Sequence, residues 1–224
     1  GIVGGIGRSY YGITQLLPAM HGSSMLKAMN PVVTSSDVYK DWLYPDGAFA
    51  LEFALAWGAT YIDARTNQAI EIGDWEKHFR HLPLAEAGKA LCHNTQHYRD
   101  WATHPAFDSY WSHLGTRKKM AQVKAPAYFM GGWHDIFLRG TLNDYNMLRE
   151  KGSSKEVKES TRVLIGPWSH NLLNQSRIGE IDYGKQATID LLNLKKQWFD
   201  YWLKGTDNDL LKSPPVRIFV MGDN

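Results

Sequence analysis

Four short apolar segments constrain the fold of this chain more than any other feature: residues 1–5, 26–33, 126–130 and 162–165. The first runs into a helical pattern over 9–20, with Ile13, Leu16 and Leu17 on one face. The third leads into a helix over 138–150. An amphipathic helix over 186–204 carries Ile189, Leu192, Trp198, Phe199 and Trp202 on its apolar side. It closes on Lys204-Gly205, a cation and then a glycine, which suits a helix C-terminus. Short apolar strands interleaved with helices predict a mostly parallel sheet with right-handed crossovers, an α/β fold. With 43% hydrophobic residues among 224, the chain can supply the core that such a sheet needs.

Residues 36–118 interrupt the alternation. The tract is helical and aromatic, with Trp42, Phe49, Phe53, Trp57, Trp75, Phe79, Trp101, Phe107, Tyr110 and Trp111. It reads as a cap inserted between core segments 1–35 and 119–212, and most of its rings are expected to form its own core. Residues 151–159 read as a charged loop. Ser213-Pro214-Pro215 reads as a linker, and 216–220 as a further strand, so 213–224 is set apart from the core.

Charge is nearly balanced, with 25 Lys plus Arg against 23 Asp plus Glu. That argues against a nucleic-acid footprint and a polybasic membrane surface. No apolar run is long enough for a membrane span. Cys92 is the single cysteine, so no internal disulfide can form, and beside His93 it reads as a structural thiol. No signal peptide is visible, which leaves the compartment open, with a cytoplasmic setting the default. Oligomeric state is open too, a homo-oligomer included.

Three motifs carry chemistry. In Gly7-Arg8-Ser9-Tyr10-Tyr11-Gly12 a serine stands at a strand-to-helix turn, with Gly5 and Gly7 where a side chain would collide with that turn. A helix starting there aims backbone N–H groups, Tyr10's first, at a developing oxyanion. Ser9 alone could equally be a helix N-cap. The absence of a glycine at Tyr10 disfavours a dinucleotide loop, and no Gly-Lys-Ser/Thr is present for a phosphate loop. Gly131-Gly132-Trp133-His134-Asp135 follows a buried strand, where a carboxylate can orient an imidazole; an N-cap is the alternative. Ile165-Gly166-Pro167-Trp168-Ser169-His170 ends another strand in a histidine. Ser, then Asp, then His, each past a strand, is the order of an α/β-hydrolase triad: Ser9 nucleophile, Asp135 orienter, His170 general base.

These motifs resemble the cocaine esterase and X-prolyl dipeptidyl-peptidase family of serine hydrolases. The likeness continues through Ile13-Thr14-Gln15 and through Tyr98-Arg99-Asp100-Trp101-Ala102-Thr103-His104-Pro105, and so covers nearly the whole chain. It implies a hydrolase core, a helical cap and a C-terminal jelly-roll domain, of which 213–224 would hold the linker and first strand. It also implies ester or amide cleavage without metal or organic cofactor, on a small-molecule substrate. The implied oxyanion hole is the Tyr10 N–H plus a tyrosine hydroxyl from an upstream loop. Gly1-Ile2-Val3-Gly4 begins without Met inside a strand, so an upstream segment of the same hydrolase is expected. Relatives that take α-amino acid esters look as if they carry acidic residues just after the triad Asp. Ile136, Phe137 and Leu138 stand there in this chain, which favours acyl groups without an ammonium, although Asp37 or Asp41 could still serve.

Weaker signals compete. His93 and His97 have an i, i+4 spacing that suits zinc on a helix, but no Glu or third ligand accompanies them, and a polar surface is the better reading, as for His78 and His81. An X-Pro dipeptidyl-peptidase, an acyltransferase or a non-catalytic binding domain on the same fold are the alternatives.

Overall fold

The computed structural model describes residues 1–58, 74–91, 96–114 and 117–222. In chain order they form β1 (Val3–Arg8), α1 (Tyr10–Ala19), β2 (Leu26–Val32), α2 (Leu51–Trp57), α3 (Trp75–Phe79), α4 (Gln96–Thr103), α5 (Ser109–Ser112), β3 (Tyr128–His134), α6 (Leu138–Lys151), α7 (Lys155–Ser160), β4 (Arg162–Ser169), β5 (Arg177–Ile178), β6 (Ile181–Asp182), α8 (Leu191–Lys204) and β7 (Val216–Ile218). Two compact units result: Gly1–Ser36 with Thr116–Asn224, and Asp37–Gly115.

The first unit is an α/β fold. Its main sheet has the order β1-β2-β3-β4-β7, with every neighbouring pair parallel. Alternation along the strands divides the core between two faces. Phe129, Val163 and Ile165 pack with Leu16 of α1, Leu148 of α6 and Val157 of α7. Tyr128, Met130 and Leu164 face the other way, onto Leu194 and Trp198 of α8. The fully buried Trp198 also donates its indole N–H to the Met29 carbonyl at 3.0 Å, which ties α8 to β2. Burying such side chains is worth about 1.5–3 kcal/mol each, which is why both faces of the sheet are covered.

Several boundaries differ from the sequence expectation. β1 runs on to Arg8 because it pairs with β2 as far as Arg8 opposite Val32. β3 continues through Gly131 and Gly132, which pair with Ile165 and Gly166 of β4. Within 151–159 the expected loop contains α7: Ser154 accepts the Val157 N–H at 3.2 Å, and buried Val157 fixes the helix to the core. α8 starts at Leu191, where the Asp190 carboxylate accepts the Asn193 N–H. Leu192, expected on its apolar face, is 79% exposed, and Leu194 takes the buried place one turn before Trp198. Val216–Ile218, set apart in the sequence reading, is the edge strand beyond β4 in this sheet.

A buried polar cluster closes the end of β2. Val33, a β-branched residue, has φ 44°, and its N–H donates to the Met130 carbonyl. Such a conformation costs about 1–3 kcal/mol and persists only where its surroundings hold it. Asp144 of α6, with no exposed surface, accepts the Ser36 N–H at 2.7 Å, the Ser36 hydroxyl at 2.6 Å and the Arg117 Nε–H at 3.0 Å. Arg117 also donates to the Ser35 hydroxyl at 3.1 Å.

Burial pushes the Asp144 carboxyl up to about 6, with Arg117 and the Ser36 donors pulling the other way. Between pH ~4 and ~6 the folded protein therefore holds a proton that the unfolded chain has released. That share of stability is full below the unfolded pKa and is lost as pH rises through the folded one. The rise from the ordinary 3.8 corresponds to roughly 3 kcal/mol. Urea melts from pH 4.5 to 7.5 should show wild type losing stability relative to Asp144→Asn as pH rises, with a flat difference above pH ~7. A difference that grows in favour of wild type would reverse the assignment.

The second unit has an aromatic core. Trp57 stacks on Trp101 with centroids 5.8 Å apart, and Trp42 packs on Trp57 at 5.7 Å. Three of its ring polar groups donate to backbone carbonyls: the Tyr44 hydroxyl to Trp101, the Tyr98 hydroxyl to Leu84 and the Trp111 indole to His104. Asp37 caps the helical turn Val38–Leu43 by accepting the Lys40 N–H.

Candidate active site

Ser9 stands between β1 and α1 with φ 55° and ψ −125°. For a residue with a Cβ this is a strained state, again about 1–3 kcal/mol, and its neighbours hold it there. Its N–H donates to the Val32 carbonyl at 2.9 Å, and its carbonyl accepts the Gly12 and Ile13 N–H groups at 2.8 and 3.3 Å. The turn is tight enough that a Cβ on Gly7 would lie 1.8 Å from the Tyr11 carbonyl oxygen. A Cβ on Gly5 would come closest to the end of the Gln15 side chain, 2.6 Å from its Oε1. Ser9 occupies the N-cap position of α1, but its side chain makes no cap hydrogen bond there. Its hydroxyl points instead to His170.

His170 follows β4 directly. Its Nε2 lies 2.9 Å from Ser9 Oγ, and its Nδ1 lies 2.6 Å from Asp135 Oδ1. With a neutral ring, Nδ1–H donates to the carboxylate and Nε2 accepts from the hydroxyl, which satisfies both ring nitrogens. Asp135 is 6% exposed and sits in the turn between β3 and α6, its N–H on the Gly132 carbonyl and its own carbonyl accepting the Leu138 N–H. It does not cap α6, whose N-cap position is Phe137. Its Oδ2 is buried with no hydrogen-bond partner among the described residues. Three residues far apart in sequence thus meet at the carboxyl ends of β1, β3 and β4, the side of a parallel sheet where ligands collect.

Three further residues hold this row. Arg8, immediately before Ser9, donates to the His170 backbone carbonyl. The buried Phe137 ring meets the imidazole edge-on, with centroids 5.3 Å apart. Trp168, 1% exposed, donates its indole N–H to the Ala187 carbonyl at 2.7 Å and packs so closely on Gly132 that a Cβ there would lie 2.0 Å from the Trp168 carbonyl oxygen. The sequence reading singled out none of these three as a support of the site. Arg8 and His170 are 162 positions apart, and no local pattern announces such a bond.

Tyr10 opens α1, so its N–H belongs to the first turn, whose N–H groups a helix leaves to partners outside its own ladder. Beyond Asp135, Ile136 is 60% exposed and Phe137 buried, and 136–138 offers no carboxylate. Among the described residues no three His, Cys, Asp or Glu side chains are grouped to hold a metal ion. His97 packs edge-on against Trp101. His93 and Cys92 lie outside the described residues. No described helix is long and apolar enough to cross a membrane.

The profile of the family described as X-Pro dipeptidyl-peptidase (S15 family) matches residues 1–171. The cocaine esterase of Rhodococcus sp. (strain MB1 Bresler) is 30% identical over 244 residues, an alignment covering 99% of this chain and 41% of that protein. The chain therefore spans less than half the length of that relative. Among solved structures, an aminopeptidase from a marine sediment archaeon, Thaumarchaeota archaeon, superposes with a TM-score of 0.73 at 22% identity, over 99% of this chain and 37% of that one. An α-amino acid ester hydrolase gives 0.70 at 21% identity, over 97% and 37%. At these identities the two structures speak for the fold alone.

Proposed function

Because this chain belongs to the X-Pro dipeptidyl-peptidase (S15) family, we propose that it is the catalytic part of a serine hydrolase that cleaves an ester or amide bond through an acyl-enzyme. The observation that carries the reading is the 2.9 Å approach of the Ser9 hydroxyl to His170 Nε2, with Asp135 on the other ring nitrogen. Ser9 Oγ attacks the substrate carbonyl while its proton passes to His170 Nε2. Asp135 keeps the ring in the tautomer that can accept it and stabilises the imidazolium. The Tyr10 N–H donates to the oxyanion, and a second donor, a tyrosine hydroxyl, comes from the upstream segment that the family resemblance implies. Collapse of the tetrahedral species breaks the bond to the leaving group, which takes the proton from His170. Water, deprotonated by the same ring, then releases the acyl group and restores Ser9. These steps call for no metal and no organic cofactor.

Ester cleavage is favoured over X-Pro peptide cleavage by the 30% identity to a cocaine esterase. The apolar stretch Ile136, Phe137 and Leu138 favours an acyl portion without an ammonium. Transfer of the acyl group to a nucleophile other than water uses the same residues.

A fluorophosphonate probe tests the reading. The protein with its upstream segment should be labelled on Ser9, with no labelling of Ser9→Ala, and should cleave aryl or alkyl acyl esters faster than free α-amino acid esters. No labelling would point to a binding domain on this fold. Preference for amino acid esters would move the ammonium site away from residues 136–138.

A further inference from the structure

We propose that Asp144 is a positioning residue for the nucleophile: a buried carboxylate on α6 whose bonds to the turn after β2 fix where Ser9 sits. The proposal rests on the reading of Ser9 as nucleophile. The path from one to the other is short. The Ser9 N–H is held by the Val32 carbonyl at 2.9 Å. The next residue is Val33, at φ 44°. Thr34 follows, its carbonyl accepting the Thr141 hydroxyl at 2.8 Å and its side chain against α1, where a Cβ on Gly12 would lie 2.6 Å from Thr34 Cγ2. Ser35 and Ser36 have no exposed surface, and Ser36 gives both its N–H and its hydroxyl to Asp144.

A β-branched residue at positive φ returns to negative φ unless the chain is held on both sides. On the β2 side the hold is strand pairing and the Val33 N–H on Met130. On the far side it comes from Thr141 and Asp144, three apart on one face of α6. Arg117 orients the carboxylate from the other side, with Nε–H on Oδ1 and a second donor on Ser35 Oγ. If the Asp144 hold is released, the turn relaxes at Val33 and carries the Val32 carbonyl, and the Ser9 N–H bonded to it, out of place. Because α6 begins three residues after Asp135, one helix steadies both ends of the row.

The test uses the protein with its upstream segment, as wild type, Asp144→Asn, Ser36→Ala and Ser9→Ala. An Asn at 144 must turn its NH2 toward either the Ser36 N–H or the Arg117 guanidinium, and so cannot hold both. Kinetics on an aryl ester and the rate of fluorophosphonate labelling are normalised to folded protein by circular dichroism. Asp144→Asn should lower kcat and the labelling rate together by about 10- to 100-fold, with KM changed less than about threefold. Ser36→Ala, which removes one of the bonds, should lower both by about three- to tenfold, and it decides alone if Asp144→Asn does not fold. A folded Ser36→Ala or Asp144→Asn protein with kcat and labelling within about twofold of wild type overturns the proposal and leaves Asp144 a stability residue. Wild type that resists the probe, or Ser9→Ala that still reacts, overturns the reading of Ser9, a result distinct from a failure at 144.

Discussion

Replacing His170 with alanine should lower kcat/KM on an aryl ester by roughly 10⁴- to 10⁶-fold, the range found when the base of a Ser-His-Asp row is removed. The expected size follows from the geometry. The Ser9 hydroxyl has its proton acceptor, His170 Nε2, at 2.9 Å. Without the imidazole, the proton must leave to solvent and the leaving group loses its acid. Ser9→Ala should fall to the same floor, and the double variant should be no slower than either alone, because the two groups act in one step. Asp135→Asn should cost about 10⁴-fold by turning the ring to the wrong tautomer. Steady-state kinetics on proteins shown to be folded check all four. A His170→Ala rate within about tenfold of wild type would remove His170 from the mechanism.

Gly7→Ala should leave little or no folded protein. The added methyl would stand 1.8 Å from the Tyr11 carbonyl oxygen and 2.8 Å from the Gly12 nitrogen, both backbone atoms of α1. Relief would require α1 to move off the sheet, taking the buried Ile13 and Leu16 with it. A cost above ~4 kcal/mol is expected, a large share of a domain's stability. Gly132→Ala should behave alike, facing the Trp168 carbonyl at 2.0 Å. Gly5→Ala is the control. Its methyl meets the mobile end of Gln15, so a cost within about 1 kcal/mol is expected. Yield of soluble protein and urea melts of the three variants separate these cases. A Gly7→Ala protein as stable as Gly5→Ala would mean that the approach of α1 to β1 is looser than described.

The difference between Gly5 and Gly7 shows where sequence reading stops. Both glycines were legible as small residues at a turn, but only the three-dimensional path of α1 makes one indispensable. The parallel strands were legible because burial on both faces leaves continuous apolar runs, as over 163–165. Ser9, Asp135 and His170 were legible because each follows such a run. The features with no such local signal are held by long-range bonds or lie in stretches with little apolar pattern. Asp144 looks like one more charge on an amphipathic helix, and its partners Ser36 and Arg117 lie 108 and 27 positions away. α7 was lost in a charged stretch whose single apolar anchor is Val157. Leu192 falls off the buried face because it lies six residues from Trp198, which at roughly 100° per residue is a different side of the helix.

The pairing of β2 with β3 bears on how the chain reaches its fold. These adjacent strands join residues 98 apart, since Asn30 on β2 donates to Tyr128 on β3, and the residues of the second unit, Asp37–Gly115, come between them in the sequence. At translation rates of about 5–20 residues per second, β2 leaves the ribosome on the order of 5–20 s before its partner. During that interval Met29 and Val32, both buried in the finished sheet, have no β3 to cover them. The inserted unit costs little at equilibrium, because closure entropy rises only by about 0.6 kcal/mol for each doubling of loop length. Its effect is on timing: a slow, non-local closure with apolar strand surface waiting, the stage at which nascent chains of this architecture are open to association and to chaperone capture.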